Sequence, residues 1–386
     1  MKSIVMCFTL LSVLLFACQV AGTPSLITPT PPTAQPSLAR GYCGDGRCDG
    51  PENPQNCPAD CQAPTLVETP RPTRSPVPTK APVTTPSPGQ GVFYLGIMVH
   101  LEGWNDGQNQ ARFQEHARLM REYATLFEKY GAKLTWESKE VTEGILRWGD
   151  NVLLEMEQRG HGVGVHADIG GQRDYDCRRF AADLRAEKEQ LESLGVTVRH
   201  VSGIVSHCDW ATAAADAGYL FTTGQVAYAV MSMPPESRPA EYRNCPSPAA
   251  CHEVFPPELE ARLHPWRMNS GLDWLTPDPN GRLVLIPASG ELNYMEENAT
   301  GRTSDKGKDL TQADIDYSIQ ELEKAIALAQ PGQVNTYYVG WSLGTPLDPQ
   351  MLEIWLQRID VYVKAGQVQW KTLPEMYEAY VQWESH

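Results

Sequence analysis

The chain has 386 residues, a formal net charge of −15, 31 prolines and ten cysteines. An acidic chain lacks the Lys and Arg excess that neutralises phosphates, so no nucleic-acid partner is expected. The prolines are unevenly spread: residues 22–40 and 62–90 are rich in Pro, Thr and Ser and hold no aromatic residue. Such segments cannot bury enough apolar surface to offset the entropy of ordering, and they read as extended linkers. A cysteine-rich island at 41–61 and one long segment, 91–386, remain.

In chain order, residues 1–21 read first as an export signal. Lys2 precedes the apolar run IVMCFTLLSVLLFA, which is too short to span a bilayer but suits a signal core. LFAC at 15–18 has the form of a lipobox that would leave Cys18 lipidated, whereas VAG at 20–22 would suit ordinary cleavage. The expectation is an exported bacterial protein, either a cell-surface lipoprotein or freely secreted. It would touch a membrane only through a lipid anchor or the signal. The long Pro/Thr tether favours the anchored form.

With Cys7 and Cys18 assigned to the signal, eight cysteines remain, an even count that points to disulfides in an exported chain. Cys245 and Cys251 are close enough for a local pair, which leaves Cys177 and Cys208 for each other. Cys43, Cys48, Cys57 and Cys61 fall in the island, which has no apolar core and needs bridges to hold it. Asp45, Asp49, Glu52, Asn56 and Asp60 would give the 41–61 module oxygen ligands for calcium. Their spacing is not that of an EF-hand, and a disulfide-stapled spacer is the plainer reading.

From residue 92 onward strand and helix patterns alternate. VFYLGIMVHLE reads as a buried strand, and ARFQEHARLMREYATLFEKYG as a helix stopped by Gly131. AKLTWE, HGVGVHA and VTVRHVSG follow as strands separated by helices, then the short helix WATAAADAGY, and later GRLVLIPAS and VNTYYVGWSL. Such alternation implies parallel strands with crossover helices, and about seven strands imply a barrel. The predicted fold is therefore α/β: a distorted (β/α) barrel over 91–386, with a small disulfide-rich N-terminal module on Pro/Thr-rich linkers.

In such barrels the site lies at the carboxyl ends of the strands. His100 and Glu102 end the first strand and share a face, being two residues apart. Glu137 ends the second, His166 and Asp168 the third, and His207 and Asp209 follow the fourth. One histidine alone is more often structural, but the clustering at successive strand ends favours a site. His161 falls at the opposite end of its strand, after the helix-ending Gly160, and reads as structural.

These features resemble the polysaccharide deacetylase family, whose members use a distorted (β/α) barrel. The resemblance spans most of 93–385 in organisation. MVHLEGW stands where the family has a TFDDG-like strand end, placing Glu102 at a metal carboxylate and Leu101 at the catalytic base. GHGVGVHADIG stands for the family's GHEIGNHTxxH, so the first metal histidine falls on His166 and the second on Gly170. HPWRMNSGLDW at 264–274 looks like a PWR…DW stretch of divergent relatives, and QVQWKTLPEMYEAY resembles the usual end of the barrel.

The resemblance implies a divalent metal, with zinc favoured, that lowers the pKa of a water and polarises an acetyl carbonyl. The candidate metal ligands are His100, Glu102, His166, Asp168 and His207. Glu137 and Asp209 are the candidate bases, and Arg267 would hold a substrate oxygen or orient the base. Trp104, Trp210, Trp266, Trp274 and Trp341 would stack on sugar faces or pack in the core. The expected activity removes acetyl groups from an N-acetylated glycan or cell-wall polymer. The alternatives are a non-catalytic carbohydrate-binding or scaffold barrel and a glycoside hydrolase, which would need Glu102 and Glu137 as its carboxylate pair.

Overall fold

A computed structural model describes residues 92–386 apart from 103–104, 172–173, 205, 225, 246–250 and 302–307. Contacts divide the chain into two units, Met1–Thr79 and Lys80–His386, and the described residues all belong to the second. The export signal with Cys18, both linkers, the cysteine-rich island with its calcium expectation, and Trp104 lie outside the described residues.

The strands are β1 (Phe93–Leu101), β2 (Thr135–Ser138), β3 (Gly162–His166), β4 (His200–Ser202), β5 (Phe221–Thr223), β6 (Trp266–Met268), β7 (Leu283–Ile286), β8 (Asn335–Ser342) and β9 (Gln369–Trp370). Their order in the sheet is β6-β7-β5-β4-β3-β2-β1-β8, with β9 beside the start of β1. All pairings are parallel except β6 with β7. The chain just beyond β7 closes the ring onto β8. Ser289 N–H donates to Tyr338 O (2.9 Å), Gly340 N–H donates to Gly290 O (3.0 Å), and Glu291 bridges Gly340 in parallel. Among the described residues seven parallel strands thus make the distorted barrel, and β6 runs antiparallel along the edge of β7, with Leu263 O just before it accepting from Thr336 N–H of β8 (2.7 Å).

The helices are α1 (Gln110–Glu128), α2 (Glu140–Trp148), α3 (Val152–Gln158), α4 (Phe180–Glu192), α5 (Trp210–Asp216), α6 (Met295–Thr300), α7 (Gln312–Leu328), α8 (Pro349–Lys364) and α9 (Leu373–Glu384). Partners in a parallel sheet point the same way, and successive residues alternate. Leu95, Ile97, Val99 and Leu101 therefore face outward, in one core with Phe113, Met120 and Phe127 of α1. Met98, Phe221, Val284, Ile286 and Tyr338 face inward and form a second core with Leu373, Met376 and Tyr380 of α9. Helix α9 thereby plugs the amino-terminal mouth. It starts at a capping box of Thr372 and Glu375, and Leu373 N–H donates to Thr135 Oγ1 of β2 (3.0 Å).

This plug explains the pattern GVGVH in β3. The valines face the outer core, and Gly162 faces the plug, where a Cβ would lie 2.9 Å from Pro374. Both expected disulfides within the described residues are present, Cys177–Cys208 and Cys245–Cys251. The first joins the loop after β3 to the loop after β4 over a sequence separation of 31. Chain-entropy reasoning puts such a closure at roughly 4 kcal/mol.

Candidate metal centre

At the carboxyl-terminal mouth the inward positions become polar. Register sets His100 of β1 beside Glu137 of β2, Glu137 beside Gly164 of β3, and His166 of β3 beside Ser202 of β4. His100 Nδ1 lies 3.0 Å from His166 Nδ1 and 3.4 Å from Glu137 Oε2. His166 also meets Ser202 Oγ through Nδ1 (2.9 Å) and Glu102 Oε2 through Nε2 (2.7 Å). Glu137 Oε1 accepts from Thr223 Oγ1 of β5 and lies 3.2 Å from His200 Nε2 of β4. Two glycines make room. A Cβ on Gly164 would lie 2.2 Å from the His200 ring, and one on Gly203 would lie 2.7 Å from His166. Gly203 also has φ +66°, which a side chain would strain.

The electrostatics divide these groups by role. Burial, and then the charge of His166, lower His100 to about 4, so it is a neutral nitrogen donor at neutral pH. Burial pushes Glu102 up, but the hydrogen bond and charge of His166 outweigh it and hold it at about 2. Glu137 is wholly buried and still held below the usual carboxylate range, because His200 and His100 beside it outweigh the burial.

His100, His166 and Glu137 each offer one ligand atom within 4.8 Å of the other two. Bonds of about 2.0–2.1 Å to a tetrahedral zinc imply ligand atoms roughly 3.3 Å apart, close to the 3.0 and 3.4 Å contacts made by His100 Nδ1. Glu137 Oε2 is buried and has no hydrogen-bond partner, an expensive state for a carboxylate oxygen. Its other oxygen is tied down, and Glu102 holds the far nitrogen of His166. A carboxylate on the distal nitrogen of a ligating histidine is the usual outer-shell arrangement of metal sites. The three donors fit a small divalent ion.

The sequence-predicted residues separate accordingly. His100, Glu102 and His166 are brought together. Glu137, expected as a base, stands instead among the candidate ligands beneath the histidines. Asp168 is at the cavity rim with φ +49° and accepts from Lys139 Nζ (2.7 Å). His207 is exposed beside the Cys177–Cys208 disulfide, 3.6 and 3.9 Å from its sulfurs, and is not part of the cluster. Asp209 caps α5, accepting from Thr212 N–H (3.2 Å) and Gly271 N–H (2.7 Å). Arg267 lies on β6 and donates to Glu384 of α9 (2.8 Å), so it orients no group of the cluster. Gly170, where the resemblance expects a second metal histidine, has φ +84°, and a Cβ there would lie 2.7 Å from Phe180. Trp274 and Trp341 are buried packing residues, and Trp266 Nε1 donates to Trp274 O (2.9 Å).

The cluster forms one side of an open cavity of about 700 Å³. Its other walls carry Trp210, Tyr228, His252, Glu291, Asn298 and Lys308, most of them outside the predicted set. His200 and Ser202 were also absent from that set. Both alternate with outward-facing Val201 in the strand VTVRHVSG, and that alternation was the available signal.

No protein-family model matches the chain, and no curated protein matches it in sequence. Solved structures do. A "putative polysaccharide deacetylase" from Mycobacterium smegmatis superimposes with a TM-score of 0.50 at 12% identity, over 77% of this chain and 93% of that one. The chain has the polysaccharide deacetylase fold. PuuE allantoinase gives a TM-score of 0.48 at 13% identity, over 77% of this chain and 92% of that one. A "probable polysaccharide deacetylase" from Pseudomonas aeruginosa PAO1 gives 0.47 at 13% identity, over 77% and 93%. At such identities the likeness is one of fold. Within this deacetylase fold the cluster occupies the strand-end position where such barrels carry their chemistry.

Proposed function

We propose that the protein is a metal-dependent hydrolase that removes acetyl groups from an N-acetylated glycan outside the cytoplasm. One observation carries this reading: a buried carboxylate oxygen of Glu137 without a hydrogen-bond partner, set with two histidine nitrogens beside an open cavity. His100, His166 and Glu137 would hold the ion, and their nitrogen and oxygen donors favour zinc. Glu102 fixes the ring of His166, while Thr223 and His200 orient Glu137. When bound, the ion supplies a Lewis acid that activates water and polarises the acetyl carbonyl. The cavity has room for a sugar ring, with Tyr228 and Trp210 on its walls. The deacetylase fold and the two disulfides support the substrate class and an exported location.

A second reading, a non-catalytic glycan-binding barrel, draws on a different feature. Both nitrogens of His166 meet protein groups, so the cluster is satisfied in part without an ion. The glycosidase reading has no free pair: Glu137 is enclosed and Glu102 is bonded to His166. The test is acetate release from chitin oligomers and peptidoglycan by the full chain, with and without a chelator. Chelator-sensitive release supports the hydrolase. Glycan binding without release supports the binding protein.

A further inference from the structure

We propose that Glu291 is the proton-transfer group of this site. The inference rests on the deacetylase reading. Leu101, at the position the resemblance gives to the base, points into the outer core and is fully buried. Asp209 is consumed in capping α5 and holding Gly271 N–H, and Glu137 is enclosed among the candidate ligands. None of these three positions offers a group free to handle the proton.

Glu291 stands where such a group is needed. It follows the segment that closes the barrel, bridges Gly340 of β8, and Gly340 in turn pairs with Met98, two residues before His100. Paired positions share a face, so Glu291 points inward like Met98 and His100. Two strand spacings separate its backbone from β1, roughly 10 Å. Gly340 carries no side chain between them, and the Met98 thioether lies over it, its Cε 3.3 Å from where a Cβ would be. Glu291 lines the cavity, and among the described residues no hydrogen bond or ion pair engages its carboxylate. Glu102 and Glu137 are both engaged.

The surroundings poise the group. Burial pushes Glu291 above the ordinary carboxylate value and the charge of Glu102 adds to this, while His252 and Lys308 on the same wall pull it back. In the reaction the carboxylate accepts a proton from water as the water oxygen bonds to the acetyl carbon. It returns that proton to the amide nitrogen as the carbon–nitrogen bond breaks. Acetic acid and a free amine leave, and Glu291 is again a carboxylate.

Glu291→Gln keeps shape and removes basicity. Metal content, thermal midpoint, kcat and KM for acetate release are measured on the full chain. Loss of kcat by about 100-fold or more is expected, with metal content and KM at wild-type levels. A Glu291→Gln protein with wild-type kcat, while His166→Ala is inactive, overturns the proposal. An independent readout is labelling of Glu291 by a water-soluble carbodiimide, mapped by mass spectrometry. N-acetylglucosamine oligomers are expected to suppress the label, and labelling that they leave unchanged overturns the contact. If the wild type releases no acetate, the deacetylase reading falls by itself, and the labelling alone judges whether Glu291 meets the glycan.

Discussion

His161 and His166 stand five residues apart in one stretch and have opposite surroundings. His161 is at the closed mouth. Its Nδ1 accepts from Leu134 N–H (2.9 Å), its Nε2 lies 3.2 Å from Glu128 Oε1, and Arg159 and Lys133 hold that same carboxylate. Both ring nitrogens of His161 are spoken for, and α9 seals the barrel beside it. His166 is at the open mouth, with a second histidine 3.0 Å away and a neighbouring carboxylate oxygen left without a hydrogen bond. The residue type is the same. Satisfaction at one end and deficit at the other separate structure from function.

Substitutions at the two ends should therefore have different signatures. The largest effect is expected from Glu137→Gln, which removes the enclosed carboxylate. Ion affinity should fall by about 100-fold or more in chelator competition, with acetate release falling alongside it. Retention of affinity would place the ion elsewhere. Met376→Ala at the plug should cost about 2–5 kcal/mol in denaturant unfolding and leave ion affinity unchanged, because it opens a cavity at the far mouth. Gly164→Ala lies between these cases. Its methyl would meet the His200 ring, so a loss of about 1–3 kcal/mol should accompany a measurable loss of ion affinity.

The smallest effect is expected at His161. His161→Gln should cost about 1 kcal/mol at neutral pH through the lost bond to Leu134 N–H. It should also change the pH dependence of stability. Burial, opposed by Glu128, lowers His161 from 6.5 to about 4. The unfolded chain protonates this ring first as pH falls, so the stabilisation is complete above pH 6.5 and is lost on the way down to about 4. Glu128, held at about 2 chiefly by Arg159 against burial, loses its stabilisation only below the ordinary carboxylate range. Unfolding measured from pH 7 to 4.5 should thus slope less in the variant than in the wild type, and equal slopes would refute the assignment.

The barrel was legible because parallel α/β structure writes itself locally, in apolar strands and in helices ended by glycines such as Gly131 and Gly160. The strand-end rule also pointed to His100, Glu102 and His166, which the fold brings together. It mistook Asp209, although Asp before WATAAAD carries the ordinary signature of a helix cap. It gave Glu137 the wrong depth, since depth depends on the register of β2 against β1 and β3, a long-range property. Glu291 and His252 come from loops more than 80 residues beyond His166; Glu291 joins the site only when the chain beyond β7 closes on β8, and His252 is carried by the segment between β5 and β6, where Val226 bridges Val254. No local pattern encodes that closure.

The central claim is that His100, Glu137 and His166 hold a divalent ion. Elemental analysis of the purified full chain, beside its His166→Ala variant, tests this most directly. The account predicts one ion per wild-type chain and none in a variant that remains folded. A folded wild type without a stoichiometric ion, even after exposure to zinc, would contradict it.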